Sequence, residues 1–224
     1  MILLDISFFD IFNPAFYLEH GGLWLLLFIV FAETGLMVGF FLPGDSLLFI
    51  AGVYSNKLIK AVIPGGLGSD FYNLLLLIIL ITLAGIAGNM VGYWTGQKSG
   101  TYLFNKKDTF IFKKKHLFET QHFYDRYGAP TIVIARFLPI IRTFAPIVAG
   151  IVNMNKPKFL FYNVVGCLFW VISLTMAGHY LERFFLIRYD LDIKEHLEFI
   201  IVGLIVITSI PFVWKYLKNK RKKG

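Results

Sequence analysis

The stretch FYNLLLLIILITLAGIAGNMVGYWTGQ, residues 71–97, carries no charged side chain. A helix crosses the apolar layer of a membrane with about 20 residues, so this stretch predicts a transmembrane helix. Its second half contains four glycines about one turn apart, at Gly85, Gly88, Gly92 and Gly96. Such a stripe lets another helix approach closely. Residues 159–181 also lack Asp, Glu, Lys and Arg and predict a second transmembrane helix.

The composition of the whole chain supports a membrane protein. Of its 224 residues, 57% are hydrophobic and only 16% are charged, whereas soluble domains carry about 25% charged residues. We therefore expect one membrane domain over residues 1–224. The single cysteine excludes an intramolecular disulfide, and the five histidines lack metal-ligand spacing, so no metal or cofactor is predicted.

Residues 20–56 are apolar but interrupted by Glu33 and by the sequence Pro43-Gly44-Asp45. The segment is too short for two spans and a turn, and Pro-Gly suits a continuous helix poorly. It predicts a re-entrant helical hairpin with its tip near Leu42–Asp45. One kinked span followed by a loop is the alternative.

Residues 127–155 show the same interrupted pattern. This segment contains three prolines and two arginines, Pro130, Arg136, Pro139, Arg142 and Pro146, and predicts a second hairpin. Each hairpin with its following span forms one repeat, at residues 20–97 and 128–181.

Short matches relate the two repeats. Phe-Leu-Pro occurs at 41–43 and 137–139, Ala-Gly at 51–52 and 149–150, and Asn-x-x-Gly at 89–92 and 163–166. The predicted topology gives the two hairpins opposite entry sides, so this is an inverted repeat, which in transporters places the site at the midplane. Chance similarity between apolar segments is the alternative.

The remaining segments flank these repeats. We predict an interfacial helix at 1–19, a loop at 57–70 and a basic, partly helical cytoplasmic interfacial segment at 98–127. Residues 182–224 predict a mixed-charge loop at 182–198 and a C-terminal span at 199–214 with a basic tail. Most of the 22 Lys and Arg residues then lie on one side. The positive-inside rule places the C-terminus in the cytoplasm and the N-terminus outside. Nucleic-acid binding is not predicted, because no RNA-binding motif accompanies the basic residues.

Four ionisable residues lie within apolar segments, where each charge costs roughly 3 kcal/mol unless it is paired or hydrated. Arg136 and Arg142 are candidates for binding a phosphate headgroup, since guanidinium binds phosphate in bidentate fashion. Glu33 and Asp45 are candidates for proton coupling or gating, because carboxyl groups shielded from water can exchange protons near neutral pH. Alternatively, the four residues neutralise one another and join the hairpins, or Arg136 snorkels to the membrane surface.

Other residues are expected to support this site. Pro43, Gly44, Pro139 and Pro146 would keep the backbone open at the hairpin tips. Gly88, Asn89, Gly92, Asn163 and Gly166 would pack helices together or satisfy broken backbone. Trp94, Trp170 and Trp214 are predicted to anchor the protein at the membrane surface, and Cys167 and His179 are predicted to be packing residues.

These motifs together resemble the DedA family, also described by its VTT or SNARE-associated domain. The resemblance covers roughly residues 20–180 and rests on Glu33, FLPGDS at 41–46, GNxxGYxxG at 88–96, RFxPxxR at 136–142, and Pro146, Asn163, Gly166 and Trp170. It implies a bacterial inner-membrane protein linked to recycling undecaprenyl phosphate and to proton-dependent envelope homeostasis. Its eukaryotic relatives are phospholipid scramblases. In the family, the positions matching Glu33, Asp45, Arg136 and Arg142 are functional.

We therefore expect a flippase or scramblase for a lipid phosphate, with membrane lipids as partners and proton coupling as an option. A proton-coupled transporter of small ions or drugs, or a general phospholipid scramblase, is the alternative. An enzyme is not expected, because no nucleophile or general base accompanies the arginines in sequence. Homo-oligomerisation stays open.

Overall fold

The computed structural model describes residues 14–36, 44–105, 133, 136 and 139–189. Within these residues it contains helices and no strands, which confirms the all-α prediction. The helices are α1 (Pro14–Gly35), α2 (Gly44–Val53), α3 (Ser55–Val62), α4 (Asp70–Asn105), α5 (Pro139–Ile151) and α6 (Lys156–Tyr189).

Helices α4 and α6 are the two long apolar helices of the described residues. Their stretches Asp70–Ser99 and Lys156–Ile187 are long and apolar enough to cross a membrane, and they coincide with the two predicted spans. The helices continue farther than expected, to Asn105 and Tyr189. Residues 98–105 thus form the helical part of the interfacial segment, while the loop predicted from residue 182 was wrong as far as Tyr189. A charged residue ends an apolar stretch without ending a helix, because Lys and Arg are good helix formers.

Three shorter apolar helices accompany them, at Gly22–Gly35, Gly44–Val53 and Ile141–Ile151. None has the roughly 20 residues needed to cross a bilayer alone. Helix α1 contains a backbone break at Gly22, where φ is 56°, so the boundary predicted at residue 19 lies inside this helix. A positive φ suits glycine, which lacks a Cβ.

The loop predicted at residues 57–70 is partly helical. Helix α3 occupies Ser55–Val62, because its pattern is amphipathic. Leu58 and Ile59 are buried, while Lys57 and Lys60 are exposed. The predicted loop therefore begins only after Val62.

Helix α4 lies at the centre and contacts α1, α3, α5 and α6, while α2 packs against α6. The glycine stripe of α4 forms these contacts, as predicted. A Cβ added at Gly88 would lie 2.5 Å from the carbonyl oxygen of Phe31 in α1, and one at Gly96 would overlap the backbone of Ile147 in α5. The backbones of α1 and α5 therefore pack directly against the backbone of α4.

Several predicted features lie outside the described residues. They are the N-terminal residues 1–13, Pro43 at the first hairpin tip, most of the interfacial segment at 106–127, Pro130, and the C-terminal span at 199–214 with its basic tail and Trp214.

Candidate functional site

Arg142 in α5 is the centre of an ion cluster that joins three helices. Its Nη1 donates to Asp45 Oδ1 in α2, and its Nη2 donates to Glu33 Oε1 in α1. Glu33 is 1% exposed and Arg142 is 9% exposed. The structure therefore brings together three of the four ionisable residues, although about a hundred residues separate the arginine from either acid.

Both acids lie close to the N-terminal end of α2. Glu33 lies so near Gly44 that a Cβ there would overlap its carboxylate, and Asp45 lies in the first turn of α2. The N-terminal end of a helix carries a positive partial charge that favours nearby carboxylates. Because Gly44 has no side chain, it leaves room for the Glu33 carboxylate. It also interrupts the apolar segment.

Trp170 completes this cluster from α6. Its indole Nε1 donates to Asp45 Oδ1 at 2.8 Å, and the guanidinium carbon of Arg142 lies 5.0 Å from its ring centroid. The residue is 2% exposed. The prediction of a surface anchor was wrong, because the indole N–H binds a carboxylate inside the protein. Its spacing from Asn163, seven residues or about two turns, placed it on the same face of α6 and could have shown this.

Arg136 lies apart from the acids. It is 5% exposed, and its Nη2 donates to the side-chain oxygen of Asn163 and, at 3.2 Å, to the Asn163 carbonyl oxygen. Its stem lies on Gly166, where a Cβ would be 2.9 Å from both Cδ and Nε of the arginine. Because the side chain is buried, the snorkelling alternative does not apply.

The charges of the two arginines are therefore compensated differently. Arg142 has two carboxylate partners, while Arg136 has no carboxylate partner among the described residues and bonds to oxygens of Asn163. The Nε of Arg136 has no hydrogen-bond partner in this part of the chain. Mutual neutralisation accounts for Arg142 and leaves Arg136 as a buried cation with no counterion among the described residues, which is costly.

Two asparagines hold this second arginine between the long helices. Asn89 Nδ2 in α4 donates to Asn163 Oδ1 in α6 at 2.8 Å, and Asn163 Nδ2 donates to the Ile86 carbonyl at 3.4 Å. Both side chains are buried. Asn89 and Asn163 thus bridge α4 and α6 directly behind the guanidinium of Arg136.

Arg136 and Arg142 both line one small pocket. Its lining comprises Asn89, Arg136, Arg142, Ala145, Pro146, Phe159 and Asn163. Guanidinium groups set in apolar walls are suited to an anion, because their hydrogen bonds strengthen where water is excluded. The described residues contain no group of three His, Cys, Asp or Glu side chains that could hold a metal ion.

The chain is similar to several known membrane proteins. The VTT domain family matches residues 42–180. Protein DedA of Escherichia coli strain K12 is 38% identical over 89% of this chain and 85% of its own length. An uncharacterized membrane protein of Mycobacterium tuberculosis strain H37Rv is 33% identical, with coverage of 90% and 84%. Inner membrane protein YqjA of Escherichia coli strain K12 is 29% identical, with coverage of 91% and 88%. No solved structure matches the chain.

Proposed function

The chain belongs to the VTT-domain family of membrane proteins, and we propose that it moves a lipid phosphate across the bacterial inner membrane as a flippase or scramblase. The observation that carries this proposal is the pocket that both arginines line, in which Arg136 has no carboxylate partner among the described residues. A phosphate headgroup would supply the missing negative charge. The resemblance to bacterial envelope proteins makes undecaprenyl phosphate the lipid that we propose.

The lipid tail would remain outside the protein. One face of α4 exposes large apolar side chains at four-residue intervals, at Phe71, Leu75, Ile79 and Leu83. In a membrane this face contacts lipid chains. A headgroup held in the pocket could therefore move past the helices while its tail stays in the apolar layer, and no covalent bond of the lipid would change.

The ion cluster would serve as the gate. While Glu33 and Asp45 are ionised, the two terminal nitrogens of Arg142 are paired with carboxylates, and we propose that Arg136 supplies the positive charge available to the pocket. Protonation of either carboxyl weakens its ion pair, since the pair depends on the negative charge. Arg142 could then bind a second phosphate oxygen. Proton uptake would thereby favour headgroup binding and couple the movement of protons to the movement of lipid.

An inverted repeat of re-entrant hairpins would provide access from both sides. The repeat is supported by the way in which its two halves exchange partners. Helix α2 of the first hairpin packs on α6 of the second repeat, and α5 of the second hairpin packs on α4 of the first. The equivalent residues Asn89 and Asn163 also contact each other, as residues near a two-fold axis do. We propose that the C-terminus is cytoplasmic and the N-terminus lies outside, following the distribution of basic residues.

Transport of labelled undecaprenyl phosphate in proteoliposomes tests this function. The protein should move the lipid faster than empty vesicles do, and Arg136→Ala should lower the rate at least about tenfold, the usual effect of losing a charged hydrogen-bond partner. Arg183→Ala is the matched control, because Arg183 is exposed on α6. Unchanged transport by an Arg136→Ala, Arg142→Ala double variant would refute the assigned role. Proton flux that needs a soluble ion and ignores the lipid would instead favour an ion transporter.

A further inference from the structure

The side-chain oxygen of Asn163 occupies the position on Arg136 that an anion would take. Arginine has only donors, so the group facing it must be an oxygen. This oxygen also accepts the Asn89 amide at 2.8 Å, and the Asn163 amide nitrogen points to the Ile86 carbonyl. These bonds fix the orientation of the carboxamide, with its oxygen toward the guanidinium.

A carboxamide oxygen is a weaker partner for this cation than a phosphate oxygen. The guanidinium donor is charged in both cases, but phosphate oxygens also carry negative charge and add a Coulombic attraction that a neutral carboxamide lacks. The carboxamide oxygen bonds to Nη2 of Arg136, and Nε has no acceptor among the residues that the structure describes. Phosphate has several oxygens and can bind Nε and Nη2 together, so exchange of the amide for a phosphate is favoured.

We propose that Asn163 is a placeholder for the anion: it holds Arg136 in the pocket while the site is empty and is displaced from the guanidinium when a phosphate binds. Asn89 is a positioning residue that keeps the Asn163 oxygen aimed at the arginine. This inference rests on the proposed function, because it requires an anion to bind at Arg136. The placeholder sets the affinity, since each anion must compete with it.

Two substitutions of the same residue separate this role from simple packing. In Asn163→Asp, a permanent carboxylate pairs with Arg136, so phosphate binding should weaken at least about tenfold. The empty protein should keep its unfolding temperature, because the new ion pair offsets the lost hydrogen bond to the Ile86 carbonyl. In Asn163→Ala, the competing oxygen is absent, so phosphate should bind at least as tightly as to the wild type, although the empty protein is less stable. A packing role predicts that both variants lose binding together with stability.

The measurement is the shift in unfolding temperature of the full chain in detergent on adding inorganic phosphate or a short-chain prenyl phosphate, against chloride of equal ionic strength. Asn155→Asp is the control, because Asn155 caps α6 with its side-chain oxygen 3.2 Å from the Lys158 amide, and aspartate caps equally well. This control introduces the same charge outside the pocket and should shift as the wild type does. A response to the prenyl phosphate alone identifies the lipid as the source of the anion and still supports the placeholder.

Wild-type binding by Asn163→Asp would overturn the inference and leave the proposed function intact, provided that the wild type transports lipid phosphate in vesicles. Weakened binding in both variants would also overturn it. If neither phosphate compound stabilises the wild type and no lipid is transported, the inference and the proposed function fail together.

Discussion

Replacing Arg142 by glutamine should destabilise the protein far more than the same replacement of Arg136. Both arginines are buried in the second repeat, but their surroundings differ. Arg142→Gln leaves Glu33 and Asp45 without their cation, and Glu33 at 1% exposure has no access to water. Arg136→Gln leaves no carboxylate behind among the described residues and removes a buried charge.

The expected difference follows from these contacts. Removing one partner of a buried ion pair costs about 3–5 kcal/mol, and the upper end applies here because two acids lose their partner. For a chain of this size, each kcal/mol lowers the unfolding temperature by roughly 2–4 °C, which gives a drop of about 10–20 °C for Arg142→Gln. Arg136→Gln loses hydrogen bonds to Asn163 and recovers the cost of burying a cation, so we expect a net change within about 2 kcal/mol.

Thermal unfolding of the purified protein in detergent, followed by the loss of monodisperse material, measures both changes. Arg183→Gln on the exposed face of α6 is the control. Adding Glu33→Gln to Arg142→Gln should recover part of the loss, because it removes one unpaired carboxylate. Equal destabilisation by the two arginine variants, or no recovery in the double variant, would refute the conclusion that Glu33 and Asp45 neutralise Arg142 but not Arg136.

Two further predictions concern the gate and the helix contacts. Glu33→Gln should flatten the pH dependence of transport, because glutamine matches the size of the protonated acid and lacks the charge that holds Arg142; an unaltered pH profile in vesicles would contradict the gating role. Gly88→Ala and Gly96→Ala should each destabilise by about 1–3 kcal/mol, because their methyl groups would press on a neighbouring helix. Gly92→Ala should be nearly neutral in the same unfolding assay, since its methyl lies 3.4 Å from the nearest atom.

The main architecture was predictable from local pattern. Long charge-free stretches at 71–97 and 159–181 predicted the two spanning helices, since the thickness of the bilayer sets their length. The ends of those helices were not predictable in the same way. Lys98 and Glu182 end the apolar composition, but α4 and α6 continue past them, because helix formation depends on backbone hydrogen bonds rather than on hydropathy.

The composition of the site was also visible in the sequence, because charge inside an apolar segment is costly and therefore conspicuous. Glu33, Asp45, Arg136 and Arg142 could all be found in this way. Trp170 was less conspicuous, because tryptophan is also common at membrane surfaces, although its spacing from Asn163 placed both residues on one face of α6. Its contacts with Asp45 and Arg142 show that it belongs to the ion cluster.

The amino-acid sequence by itself determined that this is a helical membrane protein with four ionisable residues in apolar surroundings, since those features depend only on which residues occur and in what order. The tertiary structure alone decided which charges meet. Arg142 lies between both acids and Arg136 lies against Asn163, and no local pattern distinguishes two arginines six residues apart. That assignment depends on distances between helices that are far apart in the chain, and the energy of a charge depends on its neighbours in space.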